Sequence, residues 1–215
     1  MLRLVTFDLD GTLYSNSTYV PKLVWHWFLA NFMRAPFATL RRVRAARLYQ
    51  KAREALRRRG QVSDLRAEAF AQAAAASGYA EEFVRATIEG LIYDNPFDGA
   101  AAHVYPDVRE TLLVLHARGL KLAVLSDYPV EKKLAALGLA DAGWDLLMSA
   151  EDVNALKPHP ALFTAACARL DVPPAEALHV GDRTDCDVAG AHAAGMKTLL
   201  FRAEGRKARA GPKAD

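Results

Sequence analysis

Short apolar segments that alternate with helical segments constrain the fold of this 215-residue chain more than any other feature of its sequence. The first lies at the N-terminus and includes Leu4 to Phe7, and the others all follow Pro106. Short apolar strands separated by helices pair in parallel through right-handed crossovers. The sequence therefore predicts an α/β protein with a doubly wound parallel sheet. The strands are predicted within residues 1–13, 121–125, 144–148, 177–180 and 197–201.

Between the first strand and the rest of the sheet lies a long segment without a convincing strand. Apolar residues at helical spacing predict a helix after Pro21, and a second helix is predicted over 36–59, closed by Gly60. A third helix, capped by Ser63, and a fourth over 81–93 follow. The pattern is typical of an all-α module inserted into the α/β fold. The predicted division is an α/β core of residues 1–14 and 103–203, a helical cap of 15–102 and a disordered basic tail of 204–215.

The composition limits the classes of function. A net charge of +3 does not indicate a protein built to coat nucleic acid, and no nucleic-acid partner is expected. The longest apolar stretch, 23–33, is too short to span a bilayer, and no signal peptide is evident. Cys167 and Cys186 form neither a disulfide framework nor a zinc motif, which indicates a reducing compartment. We expect a cytoplasmic protein that is a monomer or a homodimer.

Two carboxylates end the first predicted strand. Asp8 and Asp10 lie two residues apart, so they share one face if the strand geometry continues through them. Two like charges this close are unfavourable without a cation or a shared proton. The pair therefore indicates a divalent metal beside a nucleophilic carboxylate, although a surface turn with two solvated acids is the alternative.

Other chemically useful residues follow later strands. Ser126 and Asp127 end the second predicted strand, Asp182 follows the fourth, and Lys157 precedes Pro158 in the loop between. In an open parallel sheet, ligands bind beyond the carboxyl ends of the strands. Each residue alone has an ordinary explanation as a helix cap or a solvated turn, but their joint order at strand ends predicts one site.

The motifs resemble those of the haloacid dehalogenase superfamily in identity and order. They are the segments 8–13 (DLDGTL), Ser126, Lys157-Pro158 and 181–187 (GDRTDCD). The resemblance covers residues 1–13 and 105–201, and the helical insert lies where that superfamily carries its α-helical cap. The chain is thus identified as a member of this superfamily, of the phosphatase branch with a helical C1-type cap.

This resemblance implies a role for each motif. Asp8 would attack phosphorus and form an aspartyl phosphate, and Asp10 would protonate the leaving group and then deprotonate water. Mg²⁺ would be held by the Asp8 and Asp182 carboxylates and the Asp10 carbonyl, with Asp187 orienting these ligands. Ser126 and Lys157 would hold and neutralise the phosphoryl group. The residues implied to contact the substrate phosphate are Asp8, Leu9, Asp10, Ser126, Asp127 and Lys157.

Asp10 favours a phosphatase acting on a small phosphorylated metabolite over a dehalogenase, because a departing halide needs no proton. A phosphomutase, a dehalogenase, a non-catalytic binding or regulatory member and a phosphoacceptor receiver domain stay open as alternatives. The helix over 36–59 is also rich in arginine, which suits an anion-binding surface or a solvated face. We favour the solvated face, opposite an apolar stripe packed inside the cap. The stripe is Phe37, Leu40, Val43, Leu48 and Leu56.

Overall fold

The computed structural model describes residues 1–95 and 97–202. The predicted disordered tail, 204–215, lies outside these residues, as does residue 203 at the end of the predicted core.

A five-stranded parallel sheet in the order β3-β2-β1-β4-β5 forms the centre of the protein. The N-terminal strand is the middle strand, and every neighbouring pair is parallel. Helices cover both faces, so the predicted doubly wound α/β fold is confirmed. The strands are β1 (Leu4–Phe7), β2 (Lys121–Ser126), β3 (Leu146–Ser149), β4 (Ala177–Gly181) and β5 (Lys197–Leu200).

The middle strand is buried on both faces, which explains why its residues other than Thr6 are apolar. Val5 and Phe7 point into one hydrophobic cluster, which also contains Leu122 and Val124 of β2. Leu4 points into the cluster on the other face. This alternation is the two-residue period of a strand, so a register shift by one residue would exchange the contents of the two clusters.

The helices lie where the sequence predicts them, and four of them form the all-α insert between β1 and β2. Those four are α1 (Asn16–Phe32), α2 (Pro36–Arg59), α3 (Leu65–Ser77) and α4 (Glu81–Ile88), which continues into a π-helical turn (Glu89–Tyr93). The helices packed on the sheet are α5 (Val108–Ala117), α6 (Glu131–Ala136), α7 (Ala161–Arg169) and α8 (Ala189–Ala193), the last preceded by a π-helical turn (Thr184–Val188).

Two helix starts differ from the sequence prediction. α1 begins at Asn16 and contains Pro21, because Tyr19 is buried and its backbone N–H donates to the Ser15 carbonyl, so the helix has already started. Proline then removes one hydrogen bond without ending the helix. At α3 the cap is Asp64, not Ser63, because its carboxylate accepts a hydrogen bond from the N–H of Ala67 at 2.9 Å.

The predicted apolar stripe of α2 is wrong at its N-terminal end. Phe37 and Leu40 are exposed, at 83% and 51% of their surface. At the other end of the stripe Leu56 is buried as predicted, together with Tyr49 and small alanines, because α3 and α4 pack against the C-terminal part of α2. Alanines at this contact let the helix backbones approach closely, so the bulky residues of the first turn lie outside it.

The insert contacts the α/β core at both ends of its sequence. Tyr19 and Phe97 pack in the same hydrophobic cluster as Phe7 and Leu13. The division at residues 15 and 102 stays a prediction. Among residues 1–95 and 97–202, no helix combines the length and apolar character needed to cross a membrane.

Candidate active site

The polar residues predicted from the strand ends meet at the carboxyl edge of the sheet. Asp8 follows β1 and is 6% exposed, and Ser126 at the end of β2 is 1% exposed. The N–H of Asp8 donates to the Val180 carbonyl of β4 at 2.8 Å, which holds it in line with the sheet. Thr12, in the turn that follows, donates its hydroxyl to Asp8 Oδ2 at 3.2 Å.

Lys157 lies between two buried carboxylates. Its Nζ is 2.5 Å from Asp8 Oδ1 and 2.6 Å from Asp187 Oδ1, and it also donates to the Leu125 carbonyl at 3.2 Å. Its side chain is 3% exposed. Burial lowers the pKa of this lysine, but the charges of Asp187 and Asp8 raise it by more than burial lowers it. Lys157 therefore stays protonated. The lysine is therefore a fixed positive charge at the sheet edge.

The two carboxylates beside Lys157 differ in their pKa. Burial raises the pKa of Asp8 to about 8. Lys157 lowers this pKa, whereas the negative charges of Asp187 and Asp10 raise it. Burial also acts on Asp187, but Lys157 and His179 outweigh it and hold the pKa of Asp187 below its usual value. One lysine between two carboxylates leaves one negative charge unbalanced, so further positive charge at this edge would favour the ionised form of Asp8.

Asp187 is held by a set of contacts that the sequence did not predict. Its Oδ2 accepts from the N–H of Arg183 at 3.0 Å, and its Oδ1 lies 3.4 Å from His179 Nε2. His179 is buried, and its Nδ1 is 2.8 Å from the hydroxyl of Thr6. A Cβ at Gly181 would lie 2.4 Å from Asp187 Cβ, so only glycine leaves room for this carboxylate. The end of β4 is thus built around Asp187.

Three carboxylates at this edge are close enough to share a metal ion. Asp8, Asp182 and Asp187 each offer an oxygen atom, and the three atoms lie within 4.8 Å of one another. Carboxylate oxygens are the hard ligands that Mg²⁺ prefers, and the cluster contains no thiolate or imidazole ligand. The donor set therefore fits a magnesium ion.

Asp10 occupies a separate environment. Lys133 of α6 lies 2.8 Å from its Oδ1 and 3.1 Å from its Oδ2, and the Tyr14 hydroxyl donates to Oδ1. Burial alone would raise the pKa of Asp10, but Lys133 and Tyr14 outweigh it and lower the pKa below its usual value. The two carboxylates at the end of β1 are thus held by different cations.

Asp127 joins the helical insert to this edge. Its Oδ2 is 2.9 Å from Arg57 Nη2 of α2, and its Oδ1 accepts from the N–H of Lys157 at 3.2 Å. Arg57 also donates to the Lys157 carbonyl. The hydroxyl of Ser126 accepts from the N–H of Tyr128 at 3.4 Å. Arg57, a residue of the helical insert, therefore fixes the loops that carry Asp127 and Lys157.

A cavity of about 900 Å³ lies between the sheet edge and the insert. The predicted site residues Asp8, Asp10, Ser126, Lys157 and Asp182 all line it on the core side. Asp127 and Asp187 also contribute to this lining, whereas Leu9 points into the hydrophobic core. The structure thus brings together the side chains that the motifs single out, apart from that of Leu9.

The sequence analysis missed the partners of these residues. Lys133 and Arg57 are contributed by α6 and α2, and neither stands in a distinctive local pattern. The sequence also gave no indication that His179 contacts Asp187 or that Thr12 contacts Asp8. Two short spacings were usable signals: Asp187 follows Gly181 by six residues, and Tyr14 follows Asp10 by four.

A parallel sheet with clustered acids and one lysine at its carboxyl edge, covered by an inserted helical layer, defines a capped α/β enzyme. The family model for haloacid dehalogenase-like hydrolases matches residues 2–195. The chain belongs to this family of hydrolases, which confirms the resemblance.

Similar proteins include phosphatases and dehalogenases. A glyceraldehyde 3-phosphate phosphatase from Methanopyrus kandleri is 32% identical over 94% of this chain and 84% of the relative. A phosphoglycolate phosphatase from Haemophilus influenzae is 37% identical over 46% of this chain and 44% of its own. The crystal structure of a 2-haloacid dehalogenase from Pseudomonas syringae superposes with a TM-score of 0.65 at 27% identity, covering 98% of this chain and 90% of that one.

Proposed function

We propose that this protein is a magnesium-dependent phosphomonoesterase that hydrolyses a small phosphorylated metabolite through an aspartyl phosphate on Asp8. The observation that carries the proposal is the pair of carboxylates at the end of β1. Asp8 is held by Lys157, and Asp10 is held separately by Lys133 and Tyr14. Two carboxylates in different environments suit a nucleophile and an acid–base group. The activities of the curated relatives support this assignment.

In the proposed reaction, an Asp8 oxygen forms a bond to phosphorus while the bond to the leaving-group oxygen breaks. Asp10 gives that oxygen a proton, and the phosphoryl dianion beside Asp10 would raise its pKa toward this role. Asp10 then accepts a proton from the water that attacks phosphorus and releases Asp8. The contacts of Asp10 with Lys133 and Tyr14 orient its carboxylate and favour the ionised form that the second step needs.

The phosphoryl group is proposed to lie between Ser126 and Lys157, whose hydroxyl and ammonium can donate to its oxygens. Leu9, through its backbone, and Asp127 complete the proposed phosphate contacts. The pairing of Asp127 with Arg57 offsets the charge of a third carboxylate near an anionic substrate.

The proposed metal ligands are the carboxylates of Asp8 and Asp182 and the backbone carbonyl of Asp10. Asp187 is proposed to orient them, a role that its contacts with Lys157, Arg183 and His179 support. When bound, the magnesium ion supplies positive charge that offsets the repulsion between carboxylate and phosphate.

Release of phosphate from p-nitrophenyl phosphate in the presence of Mg²⁺ tests the proposal. Asp8→Asn and Asp10→Asn should each lower kcat by about two orders of magnitude or more. Asp141→Asn, at an 84% exposed side chain, is the matched control and should keep full activity. Acid-quenched wild-type enzyme should carry phosphate on the peptide that contains Asp8. Full activity in Asp8→Asn would overturn the assignment.

A second candidate is haloacid hydrolysis, because of the similarity to the Pseudomonas syringae dehalogenase. The contacts that hold Asp10 argue against it, since a halide leaves without a proton. Chloride release from 2-chloropropionic acid, measured beside phosphate release from p-nitrophenyl phosphate, separates the two reactions.

We also propose the division into a core of 1–14 and 103–203 and a cap of 15–102. A hydrophobic cluster formed mainly by α2, α3 and α4, to which the core adds Ala150 and Leu156, supports it. A cytoplasmic location agrees with Cys167 and Cys186, which are both buried and free of disulfides. A monomer or a homodimer is expected, and sedimentation analysis would distinguish them.

A further inference from the structure

The cavity above the candidate site has two chemically different walls. The core side presents the carboxylates, Ser126 and Lys157. The insert contributes polar side chains, among them Asn16, Gln50 and Asn95, and a group of apolar side chains from α1 and from the π-helical turn after α4. These apolar residues are Val20, Leu23, Val24, Trp27, Leu91 and Ile92.

Much of this apolar surface has no protein cover. Val20 is 36% exposed and Val24 is 55% exposed, although both line the cavity. Apolar side chains that face a binding cavity gain stability when a ligand covers them, at roughly 25 cal/mol for each Å² removed from water. Hydroxyl groups of a ligand that lie against Val20, Leu23 and Val24 would lose water without finding partners, so a polyhydroxylated body would gain little at this part of the cavity.

The charged residues of α2 at this cavity are already engaged with the protein. Arg53 lies 3.3 Å from Glu151, and Arg57 lies 3.0 Å from Glu54 and 2.9 Å from Asp127. A substrate with a second anionic group would have to compete with these carboxylates. Arg47 is exposed and also lines the cavity. It is therefore the arginine that would bind a second anionic group of a substrate, if the substrate has one.

The size of the cavity also favours a substrate larger than a three-carbon phosphate. A volume of about 900 Å³ lies near the top of the range for pockets that hold drug-sized ligands. A three-carbon phosphate would leave most of it filled with water, and the apolar wall would stay wet.

On these grounds, and resting on the proposed phosphomonoesterase activity, we infer that the preferred substrates are phosphate monoesters whose leaving group carries an apolar body, alkyl or aryl. The phosphoryl group binds at the sheet edge, and the apolar body lies against α1. The compact polar phosphates named for the curated relatives are then poor substrates of this protein.

A series of n-alkyl phosphates from methyl to hexyl tests this inference, because the reactivity of the ester changes little along the series. For the full-length enzyme with Mg²⁺, kcat/KM should rise roughly twofold to fourfold for each added methylene. Hexyl phosphate should exceed phosphoglycolate and glyceraldehyde 3-phosphate by at least about tenfold. Equal values along the series, or a preference for phosphoglycolate that Arg47→Met abolishes, would overturn the inference.

A double variant separates the apolar wall from general effects on the cap. Val20→Asn with Val24→Asn, one helical turn apart, should lower kcat/KM for hexyl phosphate about tenfold and leave methyl phosphate within about twofold. Trp25→Asn is the matched control: Trp25 is 58% exposed on the same helix but lies outside the cavity lining. Thermal unfolding of each variant verifies that the fold is kept. An equal loss for both esters in the double variant would refute the role of this wall.

The same measurements distinguish failure of the leaving-group preference from failure of the proposed phosphomonoesterase activity. Phosphate release that is indifferent to chain length overturns the inference about the leaving group and leaves the phosphomonoesterase intact. Absence of phosphate release from every ester, p-nitrophenyl phosphate included, overturns the proposed function itself.

Discussion

Replacement of Lys157 by methionine tests the electrostatic core of the site. The ammonium makes contacts of 2.5 Å and 2.6 Å with two buried carboxylates, and methionine preserves most of the side-chain volume without the charge. Asp8 and Asp187 would then face each other in a buried environment. Breaking a buried ion pair by removing one partner costs about 3–5 kcal/mol. Two charge-assisted hydrogen bonds at about 1.5–3 kcal/mol each give a similar sum.

We therefore expect Lys157→Met to lower the free energy of unfolding by about 3–5 kcal/mol at pH 8 in the presence of EDTA. Urea denaturation measures this loss, with an unchanged m-value as the sign that the unfolded state is comparable. The loss should grow as the pH rises through 8, because removal of Lys157 raises the pKa of Asp8 further, so the folded variant keeps a proton on Asp8 that the folded wild type has released.

An exposed lysine provides the matched control. Lys132 pairs with Asp94 at the surface, where the two side chains are 63% and 61% exposed. Lys132→Met should cost only about 0–1 kcal/mol. In the Lys157→Met background, Asp8→Asn should recover part of the lost stability, and the double-mutant cycle measures the coupling. A loss below about 1 kcal/mol for Lys157→Met, equal to that of Lys132→Met, would refute this electrostatic account.

Three further predictions concern stability, each measured by chemical or thermal unfolding. Gly181→Ala should cost about 1–3 kcal/mol because its Cβ would lie 2.4 Å from Asp187, whereas Gly90→Ala, with no atom within 4 Å, should be neutral or stabilising. Asp64→Ala should cost about 1 kcal/mol through the lost cap of α3. In EDTA, the folded state holds a proton on Asp8 that the unfolded chain has lost, so stability should fall as the pH rises from about 6.5 to 8; the same slope in Asp8→Asn would contradict this.

The sequence predicted the sheet and the motif residues for one physical reason: both are encoded locally. β1 and β2 are mostly apolar because the strands are buried on both faces, Asp8 directly follows β1, and Ser126 is the last residue of β2. Position at a strand end then determines position in space, since parallel strands share one carboxyl edge. Helix boundaries followed from glycine and proline in the same way, except where Tyr19 packing extends α1 before Pro21.

The partners of the motif residues could not be predicted, because they depend on how helices approach the sheet. Lys133 reaches Asp10 only through the orientation of α6, and Arg57 reaches Asp127 only through the docking of α2. Both belong to segments with many lysines or arginines, so the sequence offers no means of choosing among them. Tertiary packing determines which cation is buried.

The arginines of α2 have two different roles: some contact the α/β core, and others are exposed to solvent. Arg53 and Arg57 lie on the side that faces the core: Arg53 is 2% exposed and stacks 4.1 Å from the ring of Tyr128, and Arg57 holds Asp127. Arg58 and Arg59 are 70% and 63% exposed. The solvated face predicted from the sequence is therefore only part of the helix. Because Arg53 donates to the Asp127 carbonyl and Arg57 to the Lys157 carbonyl, the helical insert contributes to the geometry at the sheet edge as well as to its cover.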